Sequence, residues 1–363
     1  MPDDSQLPEE TPPAPVFVPE DTRSVPLPPF NETPEPPQRR RGRQMLVLVG
    51  CVEVLILALG LGVLMVAPPW QGARTVIIPK GASVQDVGTA LSRADMIWTP
   101  WAFRGAARVL AGDVLQAGEY TLGPGASTVD IVLILREGRT VPRKVTVAEG
   151  LTSWEIAQLL EGPPARTGEV RPVPPEGALL PETYRFSYGD SRSSLIERMR
   201  KEQGAVLAKI WEGRNRELPL KTPADLVILA SLVEKETGQK AEERARVAGV
   251  FVNRLRLGMP LQSDPTVIYA LTRGKDQLGR SLTHDDLDHP SPYNTYRVTG
   301  LPPGPICNPG RAALEAAAHP EKSTYLYFVS DGMGGHAFAE TLDVHNRNVA
   351  KWLSLSRPLA GGR

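Results

Sequence analysis

The sequence predicts an α+β protein with a single N-terminal transmembrane helix, then small β/α modules, then a larger α+β domain built around a buried central helix. Three observations lead to this fold class. They are an apolar run at 45–67, a strand–turn–helix pattern repeated between residues 75 and 160, and a helix at 223–236 that is apolar on every side. Apolar residues that recur about every 3.6 positions indicate the helices. Short runs of β-branched or aromatic residues beside glycine turns indicate the strands.

Composition excludes several classes of function. The 363 residues contain 41 Lys+Arg and 41 Asp+Glu, so no net charge attracts a nucleic acid. Cys51 lies in the apolar run and Cys307 lies far from it, so neither a disulfide nor a cysteine metal site is expected. None of the five histidines forms an HExxH-type pair. We therefore expect no metal, no cofactor and no nucleic-acid partner.

The N-terminal part divides into two segments. Residues 1–43 are proline-rich and have too few apolar side chains to form a core, which predicts a disordered tail. At the other end of the chain, residues 357–363 are predicted as a second tail. Residues 44–67 are long and apolar enough to cross a bilayer, although a cleaved signal peptide is the alternative. The arginines before this run, Arg39 to Arg41 and Arg43, favour a cytoplasmic N-terminus. Glu53 lies within the span, and its role stays open.

A repeated motif follows the apolar run. Gly81, Gly125 and Gly150 each follow an aliphatic residue by three positions. A hydroxyl and then an acid come next in every copy: Ser83 and Asp86, Ser127 and Asp130, Thr152 and Glu155. This spacing predicts a strand, a glycine turn and a helix that begins with a capping box. The copies share either ancestry or only the same capping residues, and the region 75–145 resembles LysM modules, which bind N-acetylated glycans.

The central helix offers the best candidate for acid–base chemistry. Thr222, Pro223 and Asp225 predict its first turn, and Glu234 and Glu236 lie at its end. A carboxyl group at the end of a buried helix can lose solvent and gain the raised pKa that a general acid needs. Ordinary solvated glutamates at a helix terminus would give the same pattern. The helical spacing of the residues does not show which of Glu234 and Glu236 would be the acid.

Three further segments carry candidate binding residues. Asp264 is predicted to cap a helix that starts at Pro265, a role that is sufficient without catalysis. Asn294 and Tyr296 lie in a loop that could line a sugar cleft or could be an ordinary proline-rich surface loop. His336 follows a glycine turn between two predicted strands and could merely flank the hairpin.

The order of these motifs resembles the MltG (YceG-like) family of endolytic murein transglycosylases. The motifs are Glu176-Gly177, Pro181-Glu182-Thr183-Tyr184, Ala230 to Thr237, Val250 to Leu255, Leu261 to Val267, Tyr293 to Tyr296 and Gly334-Gly335-His336. In that family the second glutamate of Glu-Lys-Glu-Thr is the catalytic acid, and it corresponds to Glu236. The resemblance implies a catalytic domain at 146–356, with substrate-binding candidates Gln262, Asp264, Asn294, Tyr296 and His336.

The resemblance implies an enzyme of the bacterial inner membrane, with its catalytic domain in the periplasm. It would cut the bond between N-acetylmuramic acid and N-acetylglucosamine in nascent strands, leave 1,6-anhydro ends and end elongation. Peptidoglycan synthases or division proteins are candidate partners. Two alternatives are a non-catalytic glycan-binding scaffold and a hydrolytic muramidase. Two departures from the family are Leu180 and Glu182, where Phe and Asp are common, and a short segment at 161–175.

Overall fold

The computed structural model describes residues 37–162, 166–238 and 240–356. Helix α1 (Pro37–Met65) contains the apolar run, and its part Gly42–Met65 is long and apolar enough to cross a membrane. The described residues fall into two units, divided between Leu59 and Gly60. The predicted tails at 1–36 and 357–363 lie outside the described residues. Residues 37–43, also predicted as tail, are helical, because arginine and glutamine are good helix formers and extend the apolar helix backwards.

The second unit begins with a small α+β region. It contains β1 (Arg74–Ile78), α2 (Val84–Arg93), α3 (Pro100–Ala111), β2 (Gly118–Leu122) and α4 (Thr128–Glu137). Strands β1 and β2 pair antiparallel, with Val76 opposite Tyr120. Leu91, Phe103 and Tyr120 are fully buried between this ribbon and the helices. The region therefore has a hydrophobic core of its own.

The predicted strand–turn–helix repeat is confirmed. All three copies form complete capping boxes, at Ser83 with Asp86, Ser127 with Asp130 and Thr152 with Glu155. The three turn glycines have φ of +82°, +82° and +78°, in the left-handed region that glycine adopts most easily. The third copy, β3 (Arg143–Thr146) and α5 (Ser153–Glu161), belongs to a different core, because β3 pairs with β5 (Thr183–Phe186).

The remaining elements form the larger α+β part. They are β4 (Arg166–Thr167), β6 (Asp190–Ser191), α6 (Arg192–Gly213), α7 (Pro223–Glu236), α8 (Arg244–Arg256), α9 (Asp264–Thr272), α10 (His284–Leu287), α11 (Arg311–Ala318), β7 (Tyr327–Ser330), β8 (His336–Ala339) and α12 (Leu342–Ser356). A 3-10 turn, Ala241–Glu243, directly precedes α8. The predicted C-terminal hairpin forms, with Ser330 opposite His336.

Helix α7 is a buried helix of this larger part, and Glu236 is its last residue. Thr222 and Asp225 form its capping box with Pro223 in the first turn, as predicted. Its residues 226–233 are all buried, and α7 packs against α6, α8, α9 and α11. At the other end the Thr237 hydroxyl donates to the Val233 carbonyl at 2.6 Å and closes the last turn. Glu236 is thus held at the end of a fixed helix.

Candidate active site

Glu236 is the last residue of α7, and its side chain is partly buried. The Ser263 hydroxyl donates a hydrogen bond of 2.6 Å to Glu236 Oε1. Desolvation raises the pKa of Glu236 to about 7, against the lowering effect of the Ser263 hydrogen bond, and the negative charge of Asp264 raises it further. A carboxyl group with this pKa can hold and release a proton near neutral pH.

The start of α9 differs from the prediction by one residue. Asp264 was predicted as the N-cap, but the helix begins at Asp264 and the N-cap is Ser263. The Ser263 side chain makes no capping hydrogen bond and donates to Glu236 instead. Asp264 in the first turn is favoured by the positive end of the helix dipole. The capping explanation for Asp264 is therefore wrong, and its carboxylate is available to the site.

Tyr296 holds the carboxylate of Asp264. Its hydroxyl donates to Asp264 Oδ1 at 2.5 Å. Burial, this hydrogen bond and the nearby charges of Asp264 and Glu236 raise the pKa of Tyr296 well above its usual value, so it stays a neutral phenol. Glu236, Ser263, Asp264 and Tyr296 thus form one cluster, assembled from α7, α9 and the loop after α10.

Asn294 stabilises the loop that contains Tyr296 from its buried side. It has no exposed surface. Its side-chain nitrogen donates to the carbonyls of Leu287 and His289, and its side-chain oxygen accepts from the backbone N–H of Tyr296. Because all of these polar groups are used inside the loop, Asn294 fixes the position of Tyr296 and does not itself line an open surface.

Gln262 is exposed and directly precedes Ser263, the N-cap of α9. Its φ is +49°, a left-handed conformation that is uncommon for residues other than glycine. Two hydrogen bonds hold it: its backbone N–H donates to the Thr295 carbonyl, and Arg254 donates to its side-chain oxygen at 3.1 Å. Strain of about 1–3 kcal/mol persists only where neighbours fix the backbone, which is the case here.

His336 lies beside the segment that follows Glu236. A Cβ atom placed on Gly238 would be 3.7 Å from Cε1 of His336. Glu243 accepts from Nδ1 of the ring at 2.8 Å and from the backbone N–H at 3.0 Å, and Phe328 packs edge-on against the ring. Within the described ranges, Nε2 makes no hydrogen bond. The ring is therefore fixed in orientation with one nitrogen unused.

Sequence reasoning missed Ser263 and Glu243. Ser263 had a detectable signal, because serine is a preferred N-cap and stands just before Asp264-Pro265. Glu243 had none, because its partner His336 is 93 positions away along the chain. A hydrogen bond across such a separation depends on the tertiary fold alone.

The alternative acid, Glu234, occupies a different environment. Its carboxylate accepts from the backbone N–H of Gly310 at 2.9 Å and lies 3.5 Å from the Arg244 guanidinium. These contacts tie α7 to α8 and to the start of α11. Glu234 thus has a structural role, and Glu236, with one hydroxyl donor, is better suited to proton transfer.

A second carboxyl group with an altered pKa lies outside this cluster. Desolvation raises the pKa of Glu176 to about 7, although the hydrogen bonds from Ser153 lower it. Glu176 accepts from the backbone N–H of Ser153 at 2.9 Å and from the Asn308 amide at 3.4 Å. Through these hydrogen bonds Glu176 connects its own loop to the first turn of α5 and to the loop that contains Asn308.

Over the described residues, the fold and the site define an α+β protein with one membrane-length helix and with a carboxyl group, that of Glu236, whose pKa is raised to about 7 at the end of a buried helix. The chain belongs to the YceG-like family, whose sequence pattern matches residues 76–351.

Relatives of known name support the same family. The chain is 34% identical over 309 residues to the "endolytic murein transglycosylase" of Bacillus subtilis strain 168, covering 76% of this chain and 84% of the relative. It is 34% identical over 325 residues to the protein of that name in Streptococcus pneumoniae D39, of which it spans 58%. A crystal structure of a YceG-like protein from Listeria monocytogenes, 33% identical, matches with a TM-score of 0.50, covering 76% of this chain and 98% of the other.

Proposed function

We propose that this protein is a membrane-anchored lytic transglycosylase that cuts peptidoglycan glycan strands internally. The observation that carries the proposal is the environment of Glu236, whose pKa is raised to about 7 at the end of a buried helix. The names of the relatives supply the substrate and the type of reaction.

In the reaction, Glu236 protonates the glycosidic oxygen between N-acetylmuramic acid and N-acetylglucosamine as the C1–O bond breaks. The resulting carboxylate then takes the proton from the muramoyl C6 hydroxyl while that oxygen attacks C1. The products are a free 4-hydroxyl on one strand and a 1,6-anhydro end on the other. No water is consumed, and Glu236 returns to its protonated form.

The neighbours of Glu236 would prepare it for both steps. The Ser263 hydroxyl stabilises the carboxylate that forms after the first proton transfer. Asp264, held by Tyr296, opposes a second negative charge and so favours the protonated form at the start. Gln262 and His336 are our candidates for contacts with the sugar, and Glu243 would fix the orientation of His336.

Hydrolysis is the second candidate reaction, and Asp264 is the reason to test it. A hydrolase generally uses two carboxyl groups about 5–9.5 Å apart. Asp264 is freed from capping and lies near Glu236, so it could activate a water molecule. The names of the relatives favour the transglycosylase, and the chemical form of the product distinguishes the two reactions.

The location follows from the N-terminal part. We propose that α1 anchors the protein in the cytoplasmic membrane with the N-terminus in the cytoplasm, and that 146–356 is the catalytic domain. The region 75–145 would act as a LysM-like module that binds the glycan. Held at the outer face of this membrane, the site would meet newly made strands and end their elongation.

The test uses the full chain in detergent with purified peptidoglycan and identifies the released fragments by mass spectrometry. Wild type is compared with Glu236→Gln and with Glu242→Gln, a control at an exposed residue of the turn before α8. We expect anhydromuramoyl ends from wild type and from the control. The Glu236→Gln rate should fall about 10²- to 10⁴-fold, the usual contribution of general acid–base catalysis.

Fragments one water heavier, with reducing ends, would show a hydrolase and make Asp264→Asn the next variant. Binding to peptidoglycan without any release would favour the glycan-binding scaffold. Full activity of Glu236→Gln would refute the role of Glu236 whatever the product.

A further inference from the structure

Helix α3 presents an unusual outward face. Its buried side is formed by Ala102, Phe103, Ala106 and Ala107. The opposite side, within an arc of about 140° at 100° per residue, is formed by five exposed residues: Trp101, Arg104, Gly105, Arg108 and Val109. Trp101 is 69% exposed and Val109 is 83% exposed. Trp101 and Val109 lie about two turns apart on this side, with the two arginines between them, so the face combines exposed apolar and cationic side chains.

In the part of the chain that the structure describes, the charges on this face have no partners. Helix α3 contains two arginines and no acidic residue. Among the described residues, neither Arg104 nor Arg108 makes a hydrogen bond, an ion pair or a cation–π contact. The two guanidinium groups lie one turn apart on the exposed side, so the face fits a surface that carries negative groups.

The same region contacts the end of the apolar run. Trp98, directly before α3 and 47% exposed, donates from its indole nitrogen to the Val66 carbonyl at 2.8 Å. Leu64 and Ala67 pack against the hydrophobic core that contains Phe103 of α3. The residues where a spanning segment would leave the hydrocarbon layer are thus fixed to the region that carries α3.

We propose that the outward face of α3, together with Trp98, lies in the headgroup layer of the bilayer and binds anionic lipid. Tryptophan favours the membrane–water interface, and arginine pairs with lipid phosphates there. This contact would fix the small α+β region, and the chain that follows it, at a set height over the membrane. The proposal depends on the membrane anchoring proposed above but not on the catalytic reaction.

The experiment measures the depth of a nitroxide spin label on the full chain in vesicles of phosphatidylcholine and phosphatidylglycerol. The label is placed by Gly105→Cys. The exposed Cys51 is replaced by alanine so that it does not take the label, and Cys307 is kept because it is fully buried. Gly204→Cys in α6 is the matched control. Both glycines are exposed and helical, and a Cβ atom on either would meet no atom within 4 Å.

We expect the label at Gly105 to collide more with oxygen and less with a water-soluble nickel chelate than the label at Gly204. Reversal of charge by Arg104→Glu with Arg108→Glu, combined with Trp101→Ser, should bring the ratio of the two collision rates down to the Gly204 value. Equal ratios at Gly105 and Gly204 in the parent chain would overturn the proposal. So would shielding of Gly105 from both reagents, which would indicate a protein partner or a second copy.

Flotation of the vesicles separates this proposal from the proposed anchoring. Failure of the chain to float with lipid would contradict the anchor itself. Flotation with a Gly105 label as exposed to water as the Gly204 label would contradict only the role of α3. Glycan cutting is not measured in either assay, so its failure would leave both results unaffected.

Discussion

At the scale of single residues, two neighbours act on Glu236 in opposite directions. The Ser263 hydroxyl stabilises the carboxylate and lowers the pKa of Glu236, whereas the charge of Asp264 raises it. Burial is the largest effect and sets the value near 7. The pH range of activity should therefore depend on residues that need not touch the substrate.

We predict opposite shifts of the pH–rate profile for Ser263→Ala and Asp264→Asn. A general acid works only while protonated, so kcat/KM falls as pH rises through the pKa of Glu236. Loss of the Ser263 hydrogen bond raises this pKa and moves the alkaline limb to higher pH. Loss of the Asp264 charge lowers the pKa and moves the limb to lower pH.

Release of anhydromuramoyl fragments, measured from pH 5 to 9, checks both directions. Shifts of the same sign in the two variants would contradict the arrangement described above. The exposed variant Glu242→Gln is the control and should keep the wild-type profile.

At the scale of elements, α8 illustrates how closely backbone segments approach in the larger domain. The segment 320–326 runs along α8, with the Asn253 amide donating to the carbonyls of Ser323 and Tyr325. A Cβ atom on Gly249 would lie 2.5 Å from the Glu321 carbonyl oxygen. Glycine at this position permits the contact that brings the hairpin of His336 next to α8.

We predict that Gly249→Ala destabilises the fold by about 1–3 kcal/mol, because a backbone oxygen cannot move aside as a flexible side chain can. Gly204→Ala is the matched control in an open position of α6. It should stabilise by about 0.5–1 kcal/mol, since alanine favours a helix over glycine. Urea unfolding of the detergent-solubilised chain, followed by near-UV circular dichroism, measures both. Equal effects of the two variants would contradict the close approach.

At the scale of the whole molecule, burial of two carboxyl groups links stability to pH. Glu176 and Glu236 both have a pKa near 7 in the folded state, against about 4.5 when unfolded. Between these values the native protein holds protons that the unfolded chain has released. Stability is therefore greatest below pH 4.5 as far as these two groups are concerned, and it falls as pH rises through 7.

We predict that Glu176→Gln weakens this dependence. The amide still accepts the hydrogen bond from Ser153 but does not ionise, so the variant should lose less stability than wild type between pH 5 and pH 8. One pKa unit corresponds to about 1.4 kcal/mol, so a difference of about 1–3 kcal/mol is expected. Urea unfolding at the two pH values measures it. Parallel losses in wild type and variant would show that Glu176 is not protonated in the native state.

The sequence by itself determined the local features of this protein. Capping boxes, turn glycines, the apolar helix and the limits of α7 depend on residues within a few positions of one another, so the spacing was sufficient. The motif order was also sufficient to identify the family. It could not decide between Glu234 and Glu236 from periodicity, because both lie in the last turn of the same helix.

The tertiary structure decided what surrounds each of those residues. Glu234 meets Gly310 and Arg244, whereas Glu236 meets Ser263, and these partners come from distant parts of the chain. The same is true of Asp264, which local spacing predicted as a cap and which Tyr296 holds instead. Desolvation and long-range hydrogen bonds set the chemistry of a carboxyl group, and both arise only when separate elements pack together.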